Sequence, residues 1–119
     1  MNNLLMDAAE ILADGELGPV WTQFRFNGID NYGRTTYCVL GAIRLAWHNR
    51  QYEDALSYGQ TIRELSDYLV DNGYANRYLP ETTITNWNDR PERSAEEVIS
   101  VLMRAGSRDT ASHSTIEPD

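Results

Sequence analysis

The sequence predicts a mainly α fold with one small β-hairpin, an α+β chain of about four helices packed around a central helix over 36–48. Three observations carry this expectation. Apolar residues recur at helical spacing in several separate stretches. One of these, 36–48, is apolar nearly all round, as a helix enclosed by its neighbours has to be. Near 20–37, aromatic and β-branched residues flank a cluster of turn formers, which is the pattern of a hairpin with a long loop.

In chain order, residues 3–14 set Leu4, Leu5, Ala8, Ile11 and Leu12 on one helical face, and Gly15 and Gly18-Pro19 end the helix. The hairpin follows, with Val20–Phe26 and Arg34–Tyr37 around the turn cluster; Trp21 or Phe24, together with Phe26, is expected to face the core. A lone hairpin is marginal in water, so it must pack on helices. The central helix has Thr36 as its expected N-cap and buries Val39, Leu40, Ala42, Ile43, Ala46 and Trp47. Gly41, in its middle, lowers helix propensity by about 1 kcal/mol, which calls for close approach of another backbone.

The third helix spans 52–72, with Ala55, Leu56, Gly59, Ile62, Leu65, Ser66 and Leu69 on one face. Asp54, Glu64, Asp67 and Asp71 make its opposite face acidic, and Gly73 is its C′ residue. Residues 74–83 read as a loop broken by Pro80, followed by a short helical turn at 84–88. Ser94 and Glu97 form a capping box that starts the last helix. That helix runs to about Ala105 with Val98, Leu102 and Ala105 inward, and Gly106 ends it. The expected organisation is a single compact domain over 1–106 and a flexible polar tail over 107–119.

Composition narrows the chemistry. The net charge is −8 over 119 residues, and a field of that sign repels phosphate backbones, so no nucleic-acid partner is expected. No apolar run approaches the length of a membrane span, and no basic-then-apolar leader is visible. The chain therefore reads as cytoplasmic with no membrane partner. All ten basic residues are Arg, which suggests codon bias from a GC-rich genome, actinobacterial or that of an actinophage.

The single cysteine, Cys38, excludes an internal disulfide and a thiolate metal cluster. It lies near a predicted helix start, where a dipole lowers a thiol pKa. A nucleophile also needs a base. His48 is ten residues along the same helix, about 15 Å away at ~1.5 Å per residue, and His113 is in the tail. A buried small hydrophobe is the better reading of Cys38, and a Cys38-dependent enzyme the weaker one. No His pair or calcium loop is present, so neither metal nor cofactor is expected and no catalytic residue is assigned.

Two residue sets remain. Tyr58, Tyr68 and Tyr78, with Arg63 and Arg77, are the candidate binding residues. Tyr is enriched at protein interfaces, and Tyr with Arg also stacks on a nucleobase and holds its phosphate. The same Tyr at a core edge would need no ligand. The second set is Arg44, Trp87, Asn88, Asp89, Arg93, Ser94 and Glu97, read as a structural clasp in which Asp89 pairs with Arg44 or Arg93. The expected function is a small acidic non-enzymatic binding protein that engages a protein partner. Sequestration of a small anionic ligand such as a nucleotide signal is the alternative, and self-association stays open.

The motifs Cys38-x-x-Gly41-Ala42-Ile43-Arg44-x-Ala46 and Ile84-x-x-Trp87-Asn88-Asp89-x-x-x-Arg93-Ser94-x-x-Glu97-Val98-Ile99 stand in that order behind the hairpin. The pair resembles an uncharacterised family of small actinobacterial and actinophage proteins, over about Trp21 to Ala105. That resemblance implies no activity and transfers no catalytic residue.

Overall fold

The computed structural model describes residues 3–14, 16–50 and 55–108. Its elements are α1 (Asn3–Ala13), β1 (Asn27–Ile29), β2 (Thr35–Tyr37), α2 (Val39–Asn49), α3 (Ala55–Asp71), α4 (Pro80–Asn88) and α5 (Ala95–Gly106). The mainly helical α+β expectation is met, with five helices among the described residues rather than about four. The expected first turn of the third helix, residues 52–54, and the tail beyond Arg108 lie outside the described residues.

The core is assembled from one stripe of each outer helix around α2, where Val39 to Ile43 are buried in succession. Leu5 and Leu12 of α1, Leu40 and Ile43 of α2, Leu65 and Leu69 of α3, Ile84 and Trp87 of α4, and Val98, Val101 and Leu102 of α5 are fully buried. α1 packs on α5 and α2, and α3 packs on α4. Gly73, at φ 76°, ends α3 as expected of a C′ glycine: the N–H groups of Tyr74 and Ala75 turn back to the Leu69 carbonyl.

Three local expectations are corrected. Pro80 does not break a loop; it opens α4, where its fixed φ suits the first helical position and its missing N–H costs nothing. The extra helix is thus a full nine residues rather than a turn at 84–88. Thr36 does not cap α2, because it is paired within β2 and buried there. Cys38 is the N-cap instead, its Sγ accepting from the Gly41 N–H at 3.4 Å. α5 receives only half of its capping box. Ser94 Oγ accepts from the Glu97 N–H at 3.2 Å, but the Glu97 carboxylate takes the Arg93 guanidinium at 2.7 Å, a charged donor that outcompetes the Ser94 N–H. Gly106 closes α5 from inside, with Ser107 as the C-cap.

The hairpin also differs from its expected form. β1 and β2 pair antiparallel with Asn27 opposite Tyr37 and Ile29 opposite Thr35, so the first strand is 27–29 and not 20–26. The segment 20–22 runs along the other side of Tyr37: Tyr37 N–H donates to the Val20 carbonyl at 2.8 Å, and Thr22 N–H to the Tyr37 carbonyl at 2.9 Å. Between these two pairings the chain must fold out and back, and Phe24 takes a left-handed φ of 66° to do so. Trp21 packs on the core, while Phe24 and Phe26 do not; they are 73% and 48% exposed.

The hairpin tip is closed by Asp30. Partial burial works against its charge, but the N–H groups of Arg34 and Tyr32 and the Arg34 guanidinium outweigh that and hold its carboxyl below the usual range. Arg34 also reaches Asp14 at 2.9 Å and the Gly18 carbonyl at 2.8 Å, which ties the tip to the end of α1.

Candidate functional site

The hairpin, the start of α2 and the end of α4 meet at Asn88. Its side chain is 1% exposed and fully used. Oδ1 accepts from Trp21 Nε1 at 2.7 Å and from the Val39 N–H at 3.0 Å; Nδ2 donates to the Thr22 carbonyl at 3.2 Å and to Asp89 Oδ1 at 2.8 Å. Val39 is the first residue of α2, so a side chain 49 residues away in sequence satisfies one of that helix's orphan donors. The amide is chemically suited to this place, because only Asn or Gln offers a neutral acceptor and two donors on one short planar group.

Two further contacts seat the hairpin. The Cys38 N–H donates to the Phe26 carbonyl at 3.1 Å. The same carbonyl passes so close to Gly41 that a Cβ there would overlap it. The expected close approach at Gly41 is therefore present, and the Cys-x-x-Gly spacing serves it. On the other side of α4, Arg93 lies over the Trp87 ring at 4.8 Å, donates to the Trp87 carbonyl at 2.9 Å and pairs with Glu97.

Asp89 is placed differently from its neighbour. Its Oδ1 accepts from the Phe24 N–H at 2.9 Å and from Asn88, so it pins the left-handed residue. It forms no ion pair with Arg44 or Arg93, which corrects the expected pairing. Arg44 is committed to the Phe26 ring, 4.6 Å from its centroid, and Arg93 to Trp87 and Glu97. Asp89 Oδ2 has no hydrogen-bond partner among the described residues. The charge sits at the C-cap of α4, the unfavourable end of that dipole, but beside the N-cap of α2.

Two depressions open on either side of Asp89. One, about 290 Å³, is lined by Phe24, Arg25, Phe26, Cys38, Thr85, Asn88 and Asp89. The other, about 370 Å³, lies between α4 and the segment after α3 and is lined by Tyr74, Tyr78, Asn86 and Arg90 among others. In the first, burial pushes the Cys38 thiol pKa up; hydrogen bonds from the Gly41 and Leu40 N–H groups oppose this without overcoming it, and the Asp89 charge adds to it. The helix-start argument for a reactive thiolate is thus outweighed by desolvation. Among the described residues no His, Cys, Asp and Glu cluster is arranged to hold a metal ion.

The Tyr and Arg set does not converge. Tyr68 is buried, stacked on Tyr74 with ring centroids 6.4 Å apart, and Arg108 lies over it. Tyr58 packs against Trp47 at 5.3 Å and lines a separate hollow with Arg63. Arg77 is paired with Asp67 at 2.9 Å, and Tyr78 stands exposed near α4. Sequence reasoning missed Phe24 and Phe26, which it sent to the core. The available signal was Gln23, Phe24 and Arg25 in succession: a polar–aromatic–cation run with no β-branched residue is a poor strand and a good surface loop.

No helix of the described residues is long and apolar enough to cross a membrane. Comparison with the curated proteins and with the solved structures gives no match to this chain. A family model does match, over residues 1–108, and the chain belongs to that family, DUF6197, a family of unknown function.

Proposed function

We propose that the protein is a non-enzymatic binding protein that engages a protein partner through the face formed by its hairpin and the start of α2. One observation carries the reading: Phe24 is held at φ 66° and 73% exposed. A bulky side chain in that backbone region is strained by about 1–2 kcal/mol, and here it hides little apolar surface in return. The strain is fixed in place by Asp89 on the Phe24 N–H and by the Gln23 amide on the carbonyls of Asn88 and Arg90, at 3.0 and 2.7 Å.

The face has the composition of a protein contact. Phe24, Phe26, Ile29 and Tyr32 are exposed on one short stretch of chain. Arg25 and Arg44 lie beside them with no carboxylate partner among the described residues, in a protein whose net charge is −8. Aromatic rings with Arg are the residues that dominate binding energy at interfaces. The complementary partner is an apolar protein segment that carries carboxylates. A cytoplasmic setting and a phage or actinobacterial source, with a host protein as partner, are part of the same proposal; the all-Arg basic set supports the source.

The alternatives have less behind them. Nucleotide capture needs Arg44, Arg63, Arg77 and Arg90 at one pocket, and they stand at Phe26, beside Tyr58, on Asp67 and on Glu92. A Cys38 enzyme needs a thiolate, and its thiol is buried with a raised pKa. The test is capture with immobilised protein from lysate of the source cells or host, in parallel with a Phe24→Ser/Phe26→Ser double variant and a Tyr58→Ala control. The expected result is one discrete partner kept by the control and lost by the double variant, with exchange protection over 24–32. A partner that holds the double variant equally well overturns the hairpin assignment, and its loss with Tyr58→Ala alone returns the site to α3.

A further inference from the structure

The outer edge of β1 deepens the hairpin-face reading and rests on it. Two hydrogen bonds phase the ladder of the hairpin: the Cys38 N–H donates to the Phe26 carbonyl, and the Asp30 N–H to the Arg34 carbonyl. Bonded and unbonded pairs alternate in an antiparallel ladder, so between those two it is Gly28 that bonds Thr36. Asn27 and Ile29 fall on the alternate positions, with their N–H and C=O groups directed away from β2. Tyr37, opposite Asn27, agrees with this phase, because its own N–H and carbonyl are spent on Val20 and Thr22. Among the described residues no strand pairs with that outer side of β1. Lysine, proline or a bulge often blunts such an edge, and β1 has none of these. It is short, so the side chains beside it must supply most of the selectivity.

Those side chains define the partner's chemistry. Ile29 is exposed on one face of the strand, and Phe26 is exposed next to the other face. Arg25 lies on the face of Gly28: its Cδ is 3.2 Å and its Nη1 3.7 Å from where a Cβ on that glycine would stand. The guanidinium has no carboxylate partner among the described residues. Residues directly opposite in an antiparallel pair share a face, so an added residue opposite Gly28 sets its side chain beside that cation. A second copy does not fit this edge. Pairing β1 with itself sets Gly28 against its counterpart and brings both Arg25 cations to one face, between chains that each carry −8. The chain's own Ile116-Glu117-Pro118 does not fit either: with Glu117 opposite Gly28, Pro118 stands opposite Asn27 without an N–H to give its carbonyl. We propose that β1 takes an added antiparallel strand from a partner protein, an extended acidic segment whose residues opposite Ile29, Gly28 and Phe26 are apolar, carboxylate and apolar in turn.

The experiment is NMR titration of the full chain with the end-capped peptide Thr-Val-Glu-Thr-Val-Thr, which carries that pattern. The expected result is that it moves the Asn27 and Ile29 amide signals and slows their exchange with water. N-methylation of the central Thr, whose N–H meets the Asn27 carbonyl, weakens binding by about ten-fold or more; N-methylation of the Glu, whose N–H points away, does not. Replacing the Glu by Lys weakens it likewise, and Arg25→Glu reverses the preference between the two peptides. Three results overturn the proposal: neither amide moves up to about 5 mM peptide, both methylated peptides bind alike, or Arg25→Glu leaves the preference unchanged. Failure of the edge is separable from failure of the face. Ile29→Pro deletes an N–H that faces water, where an edge strand tolerates proline. A captured partner lost by Phe24→Ser/Phe26→Ser but kept by Ile29→Pro removes the edge and retains the face, whereas capture that survives the double variant removes the face itself.

Discussion

The Asn88 amide uses every donor and acceptor it has, whereas Asp89 beside it leaves one oxygen without a partner among the described residues and pins an aromatic residue whose ring is held out in water. The two residues are adjacent in sequence and end the same helix. Asn88 accepts twice and donates twice to groups from three elements. Asp89 spends one oxygen on fixing Phe24 and leaves the other open. The difference teaches that adjacent residues of one dense polar motif can take different roles, one fastening the fold and the other facing outward, according to which side of the helix end each side chain takes. It also gives a criterion: substitutions at the joint should cost stability, and substitutions at the rim should cost binding.

The largest expected effect is at the joint itself. Asn88→Ala strands the Trp21 and Val39 N–H groups and the Thr22 carbonyl in a buried setting. Chemical denaturation should show a loss of about 3–5 kcal/mol, two or three unpaired buried groups at ~1–3 kcal/mol each with partial relief by water. Asn88→Asp keeps the acceptor, loses the donor and sets a second carboxylate beside Asp89, so it should rescue little. A loss below about 1 kcal/mol for Asn88→Ala would break the distinction between joint and rim.

Gly41→Ala comes next. The added methyl meets the Phe26 carbonyl, which is backbone and cannot swing aside as a side chain would. Overpacking of this kind costs about 1–3 kcal/mol, against the ~1 kcal/mol that alanine returns in helix propensity. The sharper readout is the hairpin: the Cys38–Phe26 hydrogen bond should open, and the Cys38 amide should lose exchange protection while α5 amides keep theirs.

Cys38 offers a smaller effect with a defined sign. Its folded-state pKa lies above the ordinary thiol value, so the native state holds the proton more firmly than the unfolded chain. Stability from this source is complete below the ordinary thiol pKa and falls as pH rises toward the raised one. Denaturation midpoints should therefore drop at alkaline pH more for the wild type than for Cys38→Ser. Iodoacetamide at neutral pH should label the unfolded chain and spare the native one; rapid native labelling would mean the α2 dipole prevails over burial.

How much of this was legible in the sequence follows from which interactions are local. α1, α3 and α5 show in apolar spacing because each buries one stripe, α2 shows because it is buried nearly all round, and the Ser94 cap shows because its acceptor and donor are three residues apart. The need for a close backbone at Gly41 could be read from a glycine in an otherwise apolar helix. The identity of that backbone, Phe26, could not, because it depends on where the hairpin turns. Asn88 was recognisable as structural, but three of its four side-chain partners lie 49 to 67 residues away. The pairing of Asp89 with an Arg failed for a related reason: Phe26, Trp87 and Glu97 compete for those guanidiniums, and competition between partners is settled by tertiary geometry. Pro80 was misread because proline both stops and starts helices.

The smallest expected effect on stability separates the two regions most cleanly. Phe24→Asn puts in the residue type that tolerates a left-handed φ best after glycine, and it keeps the backbone N–H that Asp89 accepts. Phe24 buries little, so little packing is lost. Thermal unfolding should therefore be unchanged or raised, by up to about 1 kcal/mol of relieved strain. Partner capture should fall at the same time, because the ring is the most exposed aromatic of the face. Selection for folding alone has no reason to keep a phenylalanine there. A variant that is destabilised by more than about 1 kcal/mol would mean the ring packs in solution and that the rim is a second joint. One that is as stable as the wild type but still binds would move the contact onto Phe26 and Arg44.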